Sequence, residues 1–385
     1  MRLDKLYLKD YRSYPNLLFE PDRHLNVLVG ENATGKTNLL ESIYYLAAGR
    51  SQRTHRDQQL LRWGKSSFFI KASLIGEPVR HTVEILYHKD RGKSFRVDGV
   101  RQSAMLDAIG LVNAVIFSPD DLSLLKGGPS ERRSFIDSEI GQVNRPYQNS
   151  LSRYNRILSQ RNDVLRNLRA SNYSRSTEDL LLEPWDLQLA ESGAAIVAAR
   201  LRLLRRWAAG AADTYGEVAG TTERFTMSYQ CSFLGEVPLQ TKGEGTSIAV
   251  GDMQSQLLER LTDSRAEEVG RGHTVVGPHR DDLAVYVDER DARHFASQGQ
   301  QRSAALAMRI AEVGWMEEEI KRRPLLLLDD VMSELDAKRA RRLARLVGSG
   351  VQTFITCTDL SDLRLGSSFG TIWHTGGGEV KQIAP

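Results

Sequence analysis

In RLDKLYLKDY, Leu3, Leu6 and Leu8 are interleaved with polar residues, a near-alternation that predicts a strand with one buried face. LLFE and LNVLV predict two more strands, the second an apolar run ending at Gly30. GENATGKTNLLESIYYLAAG then reads as a loop giving way to an apolar-periodic helix that stops at Gly49. Residues 67–100 (SFFIKASLI, RHTVEILYH, KSFRVDG) predict a β-meander with an Asp-Gly turn, and LVNAVIFSP a further strand.

The middle of the chain changes period. Tyr147, Leu151, Tyr154, Leu158, Leu165 and Leu168 fall at alternating spacings of three and four, with Arg161 interrupting one seam position. A polar connector, RASNYSRSTEDLLLEP, precedes a second helix in which Leu187, Ala190, Ala194, Val197, Leu201, Leu204, Ala208 and Ala211 keep that spacing. Two such helices bury their seams by folding back on each other. Residues 130–212 are therefore expected to form a coiled-coil-like helical arm, inserted into a head made of 1–129 and 213–385. The alternative is that the same helices pack flat on the body.

β signals return in TERFTMSYQCSF, followed by a Gly-rich linker, LQTKGEGTSIAVGD. TVVG, DLAVYVD, PLLLLDD and VQTFITCTD predict strands, with helices expected after SQGQQR and over DAKRARRLARLV. No internal repeat is evident.

Composition narrows the class only a little. A chain of 385 residues, 41% hydrophobic and 26% charged, has an ordinary globular make-up. No apolar run is long enough to span a bilayer, and the first residues mix charge with apolar positions unlike a signal peptide. The two cysteines, Cys231 and Cys357, are far apart and lack metal spacing, which fits a reducing cytoplasm. Net charge is only +3, but residues 141–175 carry seven arginines (145, 153, 156, 161, 166, 169 and 175) against one acid, Asp163. Such a run is either a solvated face or a nucleic-acid contact; Arg153, Arg156 and Arg161 are the candidates for the latter.

GENATGKT, Gly30 to Thr37, matches the Walker A pattern in full and lies between a predicted strand and a predicted helix. Gly30 and Gly35 let the backbone curl so that successive N–H groups face phosphate oxygens, and the helix start adds its positive end. Nucleotide contacts are therefore expected from Gly30, Glu31, Asn32, Ala33, Thr34, Gly35, Lys36, Thr37 and Asn38. Lys36 supplies charge to the β- and γ-phosphates, and the Thr37 hydroxyl is a Mg²⁺ ligand. PLLLLDDVMSELD carries two carboxylates at the end of an apolar strand, the edge where open α/β sheets bind ligands. Asp329 is expected to hold Mg²⁺, and Asp330 to polarise the attacking water. Related ATPases usually place a Glu there; the shorter Asp predicts slow hydrolysis.

FASQGQQR, Phe295 to Arg302, resembles the signature motif of ABC-type ATPases through Ser297, Gly299, Gln300 and Arg302, and departs from it at Phe295, Ala296 and Gln298. A serine hydroxyl, a glycine and a helix N-terminus suit an anion, although the stretch taken alone also reads as a helix cap. With SELD following Walker B, the set predicts an ABC-type ATPase head, a P-loop fold with a mixed sheet and an antiparallel β subdomain.

The chain further resembles the RecF family of SMC-like bacterial DNA-repair ATPases. The resemblance rests on LKDYRSY, LNVLVGENATGKTNLLESIYYLA, RSQRTHRD, VIFSPDDLSLLKGGPSERRSFID, VVGPHRDDL and LLLLDDVMSELD, which occur in order along almost the whole chain. It implies two heads joined by ATP, each signature closing on the γ-phosphate held by the other copy. It also implies a homodimeric clamp on duplex DNA near single-strand gaps, weak DNA-stimulated ATP hydrolysis, recombinase loading, and RecR and RecO as partners. By position in the family, Arg12 and Ser13 would reach the nucleotide, Asp336 would cross the dimer interface, and Thr358 would replace the switch histidine of transporters. No Q-loop Gln is visible; Ser118 or Asp120 stands near its place.

Three readings stay open. GPHRDD invites metal ligation by His279, Asp281 and Asp282, against a plain turn into LAVYV. Arg53 and Arg56 are candidates for phosphate or DNA contact, against surface pairing. An ABC-transporter nucleotide-binding subunit, or an SMC-like ATP sensor that does not bind DNA, would share the Walker and signature motifs.

Overall fold

Four consecutive leucines can be accommodated only where both faces of a strand are covered. In the computed structural model, which describes residues 2–54, 56–76, 79–102, 110–171, 173–220, 222–240, 248–331, 340, 343, 347, 350–360 and 370–384, β13 (Leu325–Asp329) is buried along its whole length. The chain forms two compact units, Met1–Leu122 with Thr214–Thr221 and Arg302–Pro385, and Ser123–Asp213 with Thr222–Gln301. The arm expected at 130–212 falls in the second unit, which also takes in residues 222–301.

In the first unit, β3 (Leu25–Val29), β8 (Ala114–Phe117), β13, β14 (Thr353–Cys357) and β15 (Thr371–Gly376) run parallel in the order β15-β3-β14-β13-β8. β16 (Glu379–Ala384) adds an antiparallel edge. The second sheet is antiparallel throughout, ordered β2-β1-β4-β5-β6-β7. Its strands are β1 (Arg2–Tyr11), β2 (Tyr14–Phe19), β4 (Ser67–Ile75), β5 (Arg80–His88), β6 (Gly92–Val97) and β7 (Val100–Gln102). The last hairpin turns through Asp98 and Gly99, both at positive φ, as a two-residue I′ loop requires. Helix α1 (Lys36–Ala48) touches β8, β13 and β14 of one sheet and β4 of the other. Leu39, Leu40 and Ile43 are thereby fully buried in a core shared with Leu6, Phe68, Leu327 and Phe354.

The second unit holds a four-stranded antiparallel sheet, β10-β9-β11-β12, made of β9 (Phe225–Cys231), β10 (Gly235–Pro238), β11 (Asp282–Val287) and β12 (Arg290–Asp291). Its helices are α2 (Ser123–Lys126), α3 (Pro129–Val143), α4 (Arg145–Arg169), α5 (Arg175–Ala219) and α6 (Val250–Arg271), and α7 (Gln298–Ile320) begins in it.

Several expectations are corrected here. The second arm helix starts at Arg175, ten residues before the expected register, and carries Pro184 inside it. Leu187 is exposed rather than in the seam, and Leu189 is buried instead. The arm is not a two-helix seam, because α6, unforeseen, packs against α4. TVVG forms no strand; it leads into a turn at 278–280. Among the described residues, no helix is long and apolar enough to cross a membrane.

Candidate nucleotide-binding site

The parallel register fixes the site. Cys357 pairs with Val29, Thr356 with Asp329, and Phe117 with Leu328. Gly30, Thr358, Asp330 and Ser118 therefore emerge from one edge of the sheet, the carboxyl end of its strands.

The loop from Gly30 to Gly35 folds back through Ala33 at φ +67° and Gly35 at φ +109°. Gly30 is not left-handed. A Cβ there would meet the Thr375 carbonyl oxygen at 2.5 Å and its hydroxyl at 2.7 Å, so what it supplies is close approach. At Gly35 a Cβ would lie 2.7 Å from Ser13 Oγ. Tyr14 donates to the Gly35 carbonyl over 3.0 Å, and burial holds its phenol protonated. The Lys36 ammonium is buried and donates to the carbonyls of Gly30 (2.6 Å) and Glu31 (2.9 Å), which brings it over the hollow of the loop.

Asp329 is 6% exposed. Its Oδ1 accepts from both Thr37 Oγ1 and Thr356 Oγ1 at 2.9 Å, tying Walker A to Walker B through β14. Burial pushes the Asp329 carboxyl up from its ordinary pKa; the two hydroxyls and the Arg53 charge pull it back. A hydroxyl and a carboxylate at this spacing offer an oxygen-only donor pair that suits a hard cation such as Mg²⁺. Asp330 stands at φ +55°, a strained conformation for a non-glycine, held by its own N–H donating to Thr356 Oγ1 at 2.9 Å. Thr356 thus serves the Asp329 carboxylate and the Asp330 backbone, a role that no motif in the sequence pointed to.

Beside the loop, Ser13 Oγ accepts from Asn38 Nδ2 at 3.0 Å. Arg12, expected to reach the nucleotide, instead grips the buried Glu41 with both Nε (2.9 Å) and Nη2 (2.8 Å), and the Gln59 carbonyl with Nη1. Glu41 also accepts from Ser51 Oγ, which in turn caps the N–H groups of Arg53 and Thr54.

The signature stretch is a reciprocal helix cap in the second unit. Ser297 Oγ accepts from the Gln300 N–H at 3.2 Å, and Gln300 Oε1 accepts from the Ser297 N–H at 2.7 Å. Glu223 fixes the Gln300 amide from outside by accepting from Nε2 at 2.8 Å. Ser297 and Gly299 are exposed at this helix start.

Residues 2–375 match the family described as RecF/RecN/SMC N terminal domain. The DNA replication and repair protein RecF of Halothermothrix orenii is 39% identical over 94% of both chains, and that of Symbiobacterium thermophilum 40% over 94% of this chain and 93% of its own. The chain belongs to the RecF family. A solved structure of the recombination mediator protein RecF-ATP in the RecFOR pathway superposes with a TM-score of 0.89 at 30% identity, covering 99% of this chain and 97% of that one. The Smc head domain of Pyrococcus furiosus, 15% identical with a TM-score of 0.52, covers 99% of this chain and 95% of its own, and shares the fold alone. The architecture is that of an ABC-type ATPase head.

Other residues singled out in this RecF-family chain divide sharply. Thr358 follows β14 at the site edge, exposed. Asp120 is exposed in the turn after β8, whereas the Ser118 N–H is capped by Asp121, whose carboxylate also accepts two bonds from Arg309. Asp336 lies outside the described residues. Arg53 and Arg56 are exposed, and the Arg53 charge is felt at Asp329. Arg153 is exposed and paired with Glu191 at 2.8 Å; Arg156 is exposed.

Arg161 is a correction. It is fully buried, paired at 2.7 Å with both Asp186 and Glu268 and bonded to Thr274, so it is unavailable to DNA. The metal reading of GPHRDD also fails. His279 accepts from Tyr154 and donates to Thr274, Asp281 accepts from Tyr229 and Ser232, and Asp282 accepts from Arg132. Among the described residues no cluster of metal-ligating side chains occurs.

Proposed function

We propose that this chain is an ATP-dependent DNA-binding protein of recombinational repair in the cytoplasm. ATP joins two copies into a clamp on duplex DNA at or near single-strand gaps, and slow hydrolysis releases it. The clamp promotes recombinase loading, with RecR and RecO as partners. The relatives' names, DNA replication and repair protein RecF, support the pathway. The carrying observation is the division of the machinery. Lys36, Thr37, Asp329 and Asp330 belong to the first unit, while Ser297 caps an exposed helix start in the second. In the dimer, Ser297, Gly299 and Gln300 of one copy meet the phosphate held by the other, with Asp336 at the junction and Thr358 beside the γ-phosphate.

Within each site, the N–H groups of the Gly30–Thr37 loop cradle the phosphates, and the Lys36 ammonium exchanges two carbonyls for phosphate oxygens. Thr37 and Asp329 hold Mg²⁺, which offsets the charge of the β- and γ-phosphates. Asp330 orients the attacking water and accepts its proton, and its short side chain keeps the rate low.

Hydrolysis measured with and without gapped DNA tests the reading. Wild type should be stimulated by DNA that it binds with steep salt dependence, and Asp329→Ala and Asp330→Asn should be inactive. Unstimulated hydrolysis with no salt-dependent DNA binding would favour a transporter-type subunit or an ATP sensor. Normal hydrolysis in Asp330→Asn would remove that residue from its role as base.

A further inference from the structure

Trp63 is 97% exposed, the most exposed of the large apolar side chains among the described residues. Exposure here is built in, because the turn that carries it is pinned to the core of the first unit. The Lys65 N–H donates to the Arg62 carbonyl at 3.0 Å, closing a turn whose third position is Gly64 at φ +77°. The Arg62 N–H donates to the Asp10 carbonyl at 3.0 Å, the Arg12 N–H to the Leu60 carbonyl at 2.8 Å, and Leu61 bridges to Tyr11. Leu60 itself is fully buried. An indole that could gain by burial is thus held out in water on a fixed support.

Its surroundings select the ligand. Arg62 and Lys65 flank the indole in sequence, with their charged ends 3.9 Å and 3.8 Å from the single carboxylate of Asp10 and both more than two-fifths exposed. Arg53 and Arg56, both exposed, belong to the same segment, whose one acid, Asp57, is engaged by Lys93 at 2.9 Å. No second large apolar side chain is exposed among the described residues of 50–66, so the indole is the single large apolar group that this segment offers a ligand. A lone π-face amid cations matches a ligand that carries flat rings on a polyanion.

We infer that Trp63 is a base-stacking residue, taking an unpaired nucleobase of DNA beside a duplex while Arg62 and Lys65 hold the adjoining phosphates. This rests on the DNA-binding reading above and adds to it the contact that tells a gap from intact duplex. Duplex bases are already stacked and offer no free face, so the preference for gapped DNA comes from the indole. The cations supply the salt-dependent affinity common to both forms.

The test compares wild type, Trp63→Ala and Trp63→Phe on a gapped duplex and on the same duplex fully paired, across a salt series, with 2-aminopurine at the first unpaired position. Trp63→Ala should bind the gapped DNA about tenfold more weakly with an unchanged salt slope, bind the intact duplex as wild type does, and fail to quench the 2-aminopurine. Trp63→Phe should retain quenching and most of the affinity. Equal binding and quenching by Trp63→Ala and wild type would overturn the inference while leaving DNA binding intact, and would leave the indole to a protein partner. A wild type that binds neither DNA would overturn the underlying reading and the inference with it.

Discussion

The Thr356 hydroxyl donates to Asp329 Oδ1 over 2.9 Å while accepting the backbone N–H of Asp330 over the same distance. One side chain on β14 therefore orients the Asp329 carboxylate and stabilises the strained backbone of its neighbour. A hydrogen bond to a charged group is worth roughly 1.5–3 kcal/mol. Thr356→Val, which keeps the shape and removes the hydroxyl, should slow ATP hydrolysis about tenfold or more, whereas Thr356→Ser should restore most of it. Steady-state rates alongside thermal midpoints separate this from unfolding.

Gly30 tests the cradle from the other side. A single methyl would run into the Thr375 backbone oxygen at 2.5 Å, a contact that only a backbone shift can relieve. Gly30→Ala should abolish nucleotide binding, read with a fluorescent ATP analogue, and lower the melting temperature. Thr34→Ala, which loses a hydroxyl pair with Thr375, should do far less.

Arg161 and Arg153 look alike along the sequence and should behave oppositely. Removing Arg161 takes the cation from the fully buried Glu268 and leaves Asp186 to Arg265 alone, and losing one partner of a buried pair costs roughly 3–5 kcal/mol. Arg153→Ala breaks only an exposed pair with Glu191 and should stay within about 0.5 kcal/mol. Urea unfolding of Arg161→Ala and Arg153→Ala measures both directly.

The GPHRDD turn should make stability depend on pH. Burial, helped by the charges of Arg280, Arg133 and Arg161, lowers the His279 pKa to about 3, so the folded imidazole stays neutral. Tyr154, its phenol pushed up by burial, donates to Nδ1 at 2.7 Å. The unfolded histidine takes a proton near pH 6.5. Between those values the unfolded state binds more protons, so stability present above pH 6.5 is lost as pH falls. From pH 6.5 to 5.5 the loss from this group should be about 1 kcal/mol. In His279→Asn the same interval should show a flatter profile by that amount.

Much of this architecture was legible because local pattern and global fold agree. β3, the Gly30–Thr37 loop and α1 follow from an apolar run, a phosphate-binding pattern and a helical period, and the Leu325–Leu328 run could only be a buried strand. What escaped was set by tertiary context. The Gly-rich stretch before Val250 drew attention from the polar, amphipathic α6, whose Leu257 and Leu261 are fully buried. Pro184 reads as a helix breaker, yet α5 runs through it in its interior at the loss of one backbone hydrogen bond. Arg161 occupies a seam position in the sequence, and only the acids of α5 and α6 reveal why a charge is tolerated there. Thr356 carries no motif; parallel pairing alone sets it beside Asp329. Ser297 is the helix cap that its sequence suggested, and its contact with the phosphate of a second copy is the proposal made above.

That second copy is the central claim. Molar mass by light scattering, with and without ATP, for wild type and Ser297→Arg, tests it most directly. ATP should double the mass of wild type and leave Ser297→Arg monomeric. A wild type that remains monomeric with ATP bound would contradict an active site completed between two chains.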